Sequence, residues 1–327
     1  MGAAVTGWGC AVPNKRLTNE ELSQRIGLDE DWILERTGVK ERRIAAEGQS
    51  TSSLAAQAGV RALEEAGLSG QDLDYIIVAT VTGDYKFPAT ASLVQSALGA
   101  ERAAAYDLGA GCSGFLYALA QAGSLIDSGA ARRVLVCGAD ILSRITDYSD
   151  PRTCVLFGDG AGAVVVERFE GPSRIGPFVL RSDGSRPELL WIPPDDRYLR
   201  MQGREVYRHA VDGMARTVAD VLRASGAKQE EVDLLVAHQA NGRILAAVAD
   251  RLGFSSDRVA SNIDRYGNTS SASIPIALCE AVEAGTIGDG SVLVLAAFGA
   301  GFAWGAGVLV WGKPPANGGV TGGDAGA

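Results

Sequence analysis

The chain repeats itself, and that repeat limits its fold more than any single segment does. Leu68-Ser-Gly-Gln-Asp-Leu-Asp-Tyr-Ile-Ile-Val-Ala-Thr80 is echoed by Ala227-Lys-Gln-Glu-Glu-Val-Asp-Leu-Leu-Val-Ala-His238. An alanine-rich stretch with apolar residues near a 3.6 period precedes each copy, Ser53 to Ala66 and Val206 to Ser225, and predicts a helix. Further on, Arg132-Arg-Val-Leu-Val-Cys-Gly138 matches Gly290-Ser-Val-Leu-Val-Leu-Ala-Ala297, and Phe157-Gly-Asp-Gly-Ala-Gly-Ala-Val-Val-Val166 matches Trp304-Gly-Ala-Gly-Val-Leu-Val-Trp311. Short β-branched runs alternating with helices predict an α/β protein whose sheets are covered on both faces. The expected division falls within 168–180, giving an N-terminal half over 1–172 and a C-terminal half over 173–313. The stretch 314–327, rich in glycine and without core-forming residues, is expected to be disordered.

Composition narrows the function. At 327 residues and 46% hydrophobic content, the chain can bury a large core, and no apolar run reaches the length of a membrane span. The start, Met1-Gly-Ala-Ala-Val-Thr6, lacks the basic and apolar pattern of a secretion signal, so a cytoplasmic location is expected. The five cysteines have no CxxC spacing, which argues against a disulfide framework or a zinc site and fits free thiols in a reducing compartment. A net charge of −9 argues against nucleic acid as a general partner and leaves any anionic partner in need of a local basic patch.

One thiol stands out. In Leu108-Gly-Ala-Gly-Cys-Ser-Gly-Phe115, Cys112 lies between a predicted strand, Ala103 to Leu108, and a predicted buried helix that starts at Phe115. Backbone N–H groups at a helix N-terminus favour a thiolate, so a lowered pKa is expected, and the flanking glycines let a substrate carbonyl come close. The alternative is a small buried thiol with a packing role. There are two histidines. His238 ends the predicted strand Val232 to Ala237 and is followed by Gln239-Ala-Asn-Gly-Arg243, whereas His209 lies in a helical run beside Arg208. A polar turn, Tyr266-Gly-Asn-Thr-Ser-Ser-Ala-Ser-Ile-Pro275, runs into a further helix, and the Asn268 amide there either donates to a developing oxyanion or holds the turn.

Together these motifs, with Asp31-Trp-Ile-Leu-Glu-Arg-Thr-Gly38, Leu156-Phe-Gly-Asp-Gly-Ala-Gly162, His238-Gln-Ala-Asn241, Gly267-Asn-Thr-Ser270 and Ala297-Phe-Gly-Ala-Gly-Phe302, make the chain closely resemble the β-ketoacyl-acyl carrier protein synthase III family of the thiolase-like superfamily, from about residue 3 to 312. The resemblance implies a five-layered α-β-α-β-α fold of two duplicated halves, a homodimer, and no metal or redox cofactor. It implies that Cys112 takes the acyl group from an acyl-CoA primer and that His238 and Asn268 stabilise the enolate formed by decarboxylation of malonyl-acyl carrier protein, the first condensation of fatty-acid synthesis. The backbone N–H groups of Cys112 and Ala300 would form an oxyanion hole; Ala300 stands where many relatives carry glycine, which matters only if a positive φ is needed there.

The same resemblance implies CoA contacts from Trp32, Arg36, Arg152 and Asn241, with Arg152 displaced by one position by the Asp150-Pro-Arg-Thr153 order. It implies an acyl pocket from Leu142, Phe157, Leu189, Leu190 and Phe298, with Phe87 reaching into the partner subunit. The segment 191–200 is shorter than its usual counterpart, which predicts a more open pocket. Arg200, Arg204 and Arg208 recur every four residues and would share a helical face, joined by Arg243 and Arg251, to receive the acidic carrier protein. Three other readings stand beside this one: an acyltransferase acting on hydroxyls or amines, which the intact Asn268 disfavours; a starter-unit ketosynthase of a polyketide or specialised lipid pathway; and a silent scaffold protein.

Overall fold

The computed structural model describes residues 1–312, so the stretch assigned as a tail, 314–327, lies outside them. The first half contains β1 (Gly2–Ala11), β2 (Lys15–Thr18), α1 (Asn19–Ile26), α2 (Glu30–Thr37), β3 (Glu41–Ile44), α3 (Thr51–Ala66), β4 (Tyr75–Ala79), α4 (Thr90–Ala97), β5 (Ala104–Leu108), α5 (Gly114–Asp127), β6 (Arg133–Ile141) and β7 (Asp159–Phe169). After it come β8 (Ile175–Ser182), the two-residue strands β9 (Leu190–Trp191) and β10 (Arg200–Met201), α6 (Gly203–Ser225), β11 (Leu234–Ala237), α7 (Gly242–Leu252), α8 (Ile263–Tyr266), α9 (Ser273–Glu283), β12 (Val292–Gly299) and β13 (Ala303–Val310).

The sequence repeat becomes a topological one. One sheet runs β1-β7-β6-β4-β5 and the other β11-β12-β13-β8, so β8, β13, β12 and β11 take the places of β1, β7, β6 and β4. Parallel and antiparallel pairings agree at each step. The counterpart of β5 is reduced to a single parallel bridge, Leu235 to Val259. Even the short 3₁₀ turns that lead into β4 and β11 recur, at Gly70–Asp72 and Gln229–Glu231.

Period-two burial on both sheet faces produces the layers. In β4, Ile77 and Ala79 pack with α5 and α9 in a central core, while Ile76 and Val78 pack with α3 and α4 on the outer side. In the second sheet, Val294 and Ala296 face α6 and α7, whereas Leu293 and Leu295 join the central core. The result is the expected five-layered α-β-α-β-α order, with α5 and α9 in the middle. Among the described residues, no helix is long and apolar enough to cross a membrane.

The duplication brings the two central helices to one place. The 3₁₀ turn Gly111–Ser113 leads into α5, and the 3₁₀ turn Ser270–Ala272 leads into α9. His238 follows β11, the counterpart of β4, so the counterpart of the Cys112 turn in the second half is the 270–272 turn.

Candidate active site

A cavity of about 710 Å³ opens where these turns meet, and Cys112, His238 and Asn268 all line it. Three positions far apart in the chain are thus brought to one wall. Buried Asp140 helps hold them: it accepts from Val81 N (2.8 Å) and Thr82 Oγ1 (2.9 Å) at the end of β4 and from Ser271 Oγ (2.7 Å) at the turn into α9. The Ser113 hydroxyl donates to the Ala303 carbonyl at 2.7 Å, fixing the cysteine turn against β13.

The thiol itself differs from the sequence expectation. Burial pushes the Cys112 thiol up to about 11, the nearby Ser270 hydroxyl working in the opposite direction and the Asp140 charge adding to the rise. Burial outweighs the hydrogen bonds that favour the anion, so Cys112 rests as a thiol rather than a thiolate.

His238 is 1% exposed, and burial pulls its imidazole down to about 3, which keeps it neutral. Its Nδ1 lies 2.6 Å from Ser273 Oγ, and the same oxygen accepts from Gln239 N at 3.3 Å. With the Ser273 hydroxyl donating to Nδ1, the His238 proton sits on Nε2 and is a donor to the cavity. Asn268 is oriented in the same sense. Its Oδ1 accepts from Ser270 N at 2.9 Å, and its Nδ2 has only a long contact of 3.4 Å to the Ala240 carbonyl, so the amide N–H₂ is the end left for a ligand. Ser270 makes that possible by taking a left-handed backbone (φ 53), the one non-glycine residue to do so among the described residues. Ser270 and Ser273 went unrecognised in the sequence; the run of hydroxyls entering an apolar helix was the available signal.

The backbone donors also meet. A Cβ placed on Gly111 would lie 2.8 Å from Ala300 N, so the Cys112 turn and the 299–301 segment touch backbone to backbone. Ala300 is not in the left-handed region, and the alanine costs nothing there.

Most of the remaining candidates line the same cavity: Trp32, Arg36, Arg152, Asn241 and Arg243 near its mouth, Leu142, Phe157, Leu190 and Phe298 along its apolar walls, and Arg204 and Ala300. The Arg36 guanidinium stacks on Trp32 at 5.3 Å. Arg152 is held by Asp150 through two hydrogen bonds, of 2.8 and 2.9 Å, and an incoming anion must compete with that pair. Both polar ends of Asn241 are engaged, Oδ1 capping α7 at Arg243 N and Nδ2 donating to the Arg36 carbonyl at 3.0 Å. Leu189 is buried behind the wall, and Phe87 is 86% exposed and away from the cavity of its own chain. Leu190, Trp191, Ile192 and Leu199, from the short 190–200 segment, supply one side.

The arginine face needs correction. Because α6 begins at Gly203, Arg200 is on β10 and does not share a helical face with Arg204 and Arg208; it pairs instead with Asp196 (2.6 Å) and Asp147 (3.3 Å). Arg251 pairs with Asp212, and Arg208, outside the cavity, pairs with Glu205, each at 2.9 Å. Arg36, Arg204 and Arg243 are the mouth arginines with no ion pair among the described residues.

This duplicated five-layer architecture is that of the thiolase-like condensing enzymes, a class of acyltransferases. Residues 106–184 match the family model described as 3-oxoacyl-[acyl-carrier-protein (ACP)] synthase III, and residues 222–311 match its C-terminal counterpart. A β-ketoacyl-[acyl-carrier-protein] synthase III of Roseiflexus castenholzii is 46% identical over 323 residues, covering 94% of this chain and 98% of that protein. The crystal structure of 3-oxoacyl-[acyl-carrier-protein] synthase III from Aquifex aeolicus superposes with a TM-score of 0.92 at 46% identity, over 95% of this chain and 100% of that one. The priming β-ketosynthase of the R1128 polyketide biosynthetic pathway also superposes at 0.92, with 34% identity over 96% of this chain and 97% of that one. The chain belongs to the β-ketoacyl-[acyl-carrier-protein] synthase III family.

Proposed function

We propose that the protein joins an acyl-CoA primer to malonyl-acyl carrier protein and so starts fatty-acid synthesis. The observation that carries this reading is the convergence of one thiol with two neutral N–H donors, His238 and Asn268, in a single apolar cavity. In the first half-reaction the Cys112 sulfur attacks the thioester carbonyl, the N–H groups of Cys112 and Ala300 receive the oxyanion, and CoA leaves with the thiol proton. In the second, the malonyl C–CO₂ bond breaks, its electron pair forms an enolate held by His238 and Asn268, and the enolate carbon displaces the acyl group from sulfur. Carbon dioxide and a 3-oxoacyl thioester leave, and Cys112 regains a proton from solvent. Side chains and backbone N–H groups of this chain supply every step of the proposed chemistry.

Trp32, Arg36, Arg152 and Asn241 form the proposed nucleotide end, and Leu142, Phe157, Leu190 and Phe298 the acyl end. Phe87 and Tyr85 are exposed, and β5 is an edge strand of its sheet, which suits a homodimer in which Phe87 enters the partner's cavity. Free thiols at all five cysteines suit a reducing compartment such as the cytoplasm.

The test is a two-step assay across a panel of acyl-CoA primers. One acyl group per chain should appear on Cys112, and malonyl-acyl carrier protein should then discharge it with release of CO₂. Failure of every primer to label Cys112 overturns the reading. A best primer outside the short straight and branched acids would favour starter-unit synthesis for another pathway.

The free arginines at the mouth make a separate expectation. Arg243→Glu should raise the KM for malonyl-acyl carrier protein several-fold and leave acylation by acyl-CoA nearly intact, because the acidic carrier is steered by charge. Added salt should mimic it, since exposed charges are screened beyond about 8 Å at physiological ionic strength. Equal loss in both half-reactions assigns Arg243 to the nucleotide instead.

A further inference from the structure

Arg42, on β3, is 0% exposed and has no carboxylate partner among the described residues. A buried guanidinium without an acid is costly unless its donors are used. Here the two terminal nitrogens are used, one donating to the Leu17 carbonyl (3.2 Å) and to Asn19 Oδ1 (2.9 Å), the other to the Val155 carbonyl (2.7 Å), while the buried Nε has no hydrogen-bond partner among the described residues. Burial draws this guanidinium down to about 10, still protonated at neutral pH.

The Val155 end matters because the next residues carry the catalytic amide. Phe157 and Asn268 form a parallel bridge, in which Asn268 N donates to the Leu156 carbonyl at 2.8 Å and Gly158 N to the Asn268 carbonyl at 3.0 Å. Both bridging segments lie against Arg42. A Cβ on Gly158 would fall 2.2 Å from the Tyr266 carbonyl oxygen and 3.1 Å from Arg42 Cβ, and one on Gly267 would fall 2.5 Å from the Leu156 carbonyl oxygen and 3.3 Å from Arg42 Cβ. The backbone of Asn268 therefore hangs on the turn before β7, which the Arg42 fork contacts at Val155.

We infer that Arg42 is a positioning residue for Asn268: its buried fork fixes the 155–158 segment, and through the Phe157–Asn268 bridge it sets where the amide donor meets the malonyl thioester. The inference rests on the proposed role of Asn268 in the second half-reaction. Cys112 is fixed separately, through Ser113 and Ala303, so acylation need not depend on Arg42. Lysine keeps the charge but is a point donor that cannot span the two terminal nitrogens of the fork.

The experiment is Arg42→Lys, alone and combined with Asn268→Ala, followed by separate measurement of Cys112 acylation and of malonyl-acyl carrier protein decarboxylation. The expected result is acylation within about threefold of wild type, a drop in decarboxylation kcat of about tenfold or more with KM little changed, and no further drop when Arg42→Lys is added to Asn268→Ala, because residues that act as a unit are not additive. Equal loss of both half-reactions by folded Arg42→Lys, no loss in either, or an undiminished effect in the Asn268→Ala background overturns the inference. If Arg42→Lys does not fold, Asn19→Ala, which removes one of the three acceptors, takes its place; it should lower decarboxylation alone, and an unchanged or uniformly reduced enzyme overturns the inference. Wild-type enzyme that acylates but does not decarboxylate malonyl thioesters would instead sink the proposed function, and is distinguished by needing no variant.

Discussion

Cys112→Ser should take up no acyl group from acyl-CoA and should lose condensation by at least on the order of 10³-fold, the scale seen when an attacking group is removed from a working site. The hydroxyl would sit in the same turn, near Ser270 and beside the Ala300 amide, so binding of the primer should survive. What is lost is a sulfur able to give up its proton as the thioester is attacked. Because burial places the resting thiol at about 11, the chemistry also has a pH signature. The group is raised, so thiolate accumulates only as pH approaches that value, and the rate of alkylation by iodoacetamide should climb about tenfold per pH unit from about pH 7 to about pH 10. A plateau below about pH 8 would mean that the helix end, not desolvation, governs the thiol in solution. Mass spectrometry of the acylated peptide and the alkylation profile check the two halves of this expectation independently.

The repeat made two similar halves with covered sheets legible, because β4, β6, β11 and β12 carry apolar residues on both faces; the five-layer order came with the family resemblance. Cys112 was legible as a candidate from its place between glycines at a strand-to-helix corner, and the other family motifs decided it against a packing role. Less was legible where function depends on the chain crossing itself. Nothing local in Ser273 announces that its hydroxyl meets the His238 ring, and nothing in Arg42 announces that its fork reaches Val155, since both contacts join segments that only the fold brings together. The arginine spacing misled for a different reason. A period of four indicates a shared face only inside one helix, and the turn at Gln202 ends that register before Arg200. The thiol is raised where the helix N-terminus alone predicts a lowering, because sequence does not show the burial that dehydrates the sulfur.

His238→Ala and Asn268→Ala should each leave acylation of Cys112 close to wild type and reduce decarboxylation of malonyl-acyl carrier protein by roughly 2.7–4 kcal/mol, about 10²–10³ in rate, the usual worth of one donor at a developing oxyanion. The division follows from the hydrogen bonds. With the Ser273 hydroxyl donating to Nδ1 of His238 and Ser270 N donating to Oδ1 of Asn268, each side chain offers the cavity an N–H and neither offers a free basic atom for the Cys112 proton. Charge state gives a second check. Burial depresses His238 to about 3, so it stays neutral until pH falls towards that value, and the decarboxylation rate should show no His238 titration between about pH 5 and about pH 8. An imidazolium donor would behave in the opposite way, with activity falling as pH rises through about 6.5, the ordinary histidine value. Measured losses that strike acylation and decarboxylation equally in either variant would show that the residue serves the thiol rather than the enolate. A pH profile for wild type that falls through the ordinary histidine range and disappears in His238→Ala would show that the ring works as a cation, and the buried, serine-held neutral donor would then be the wrong description of this site.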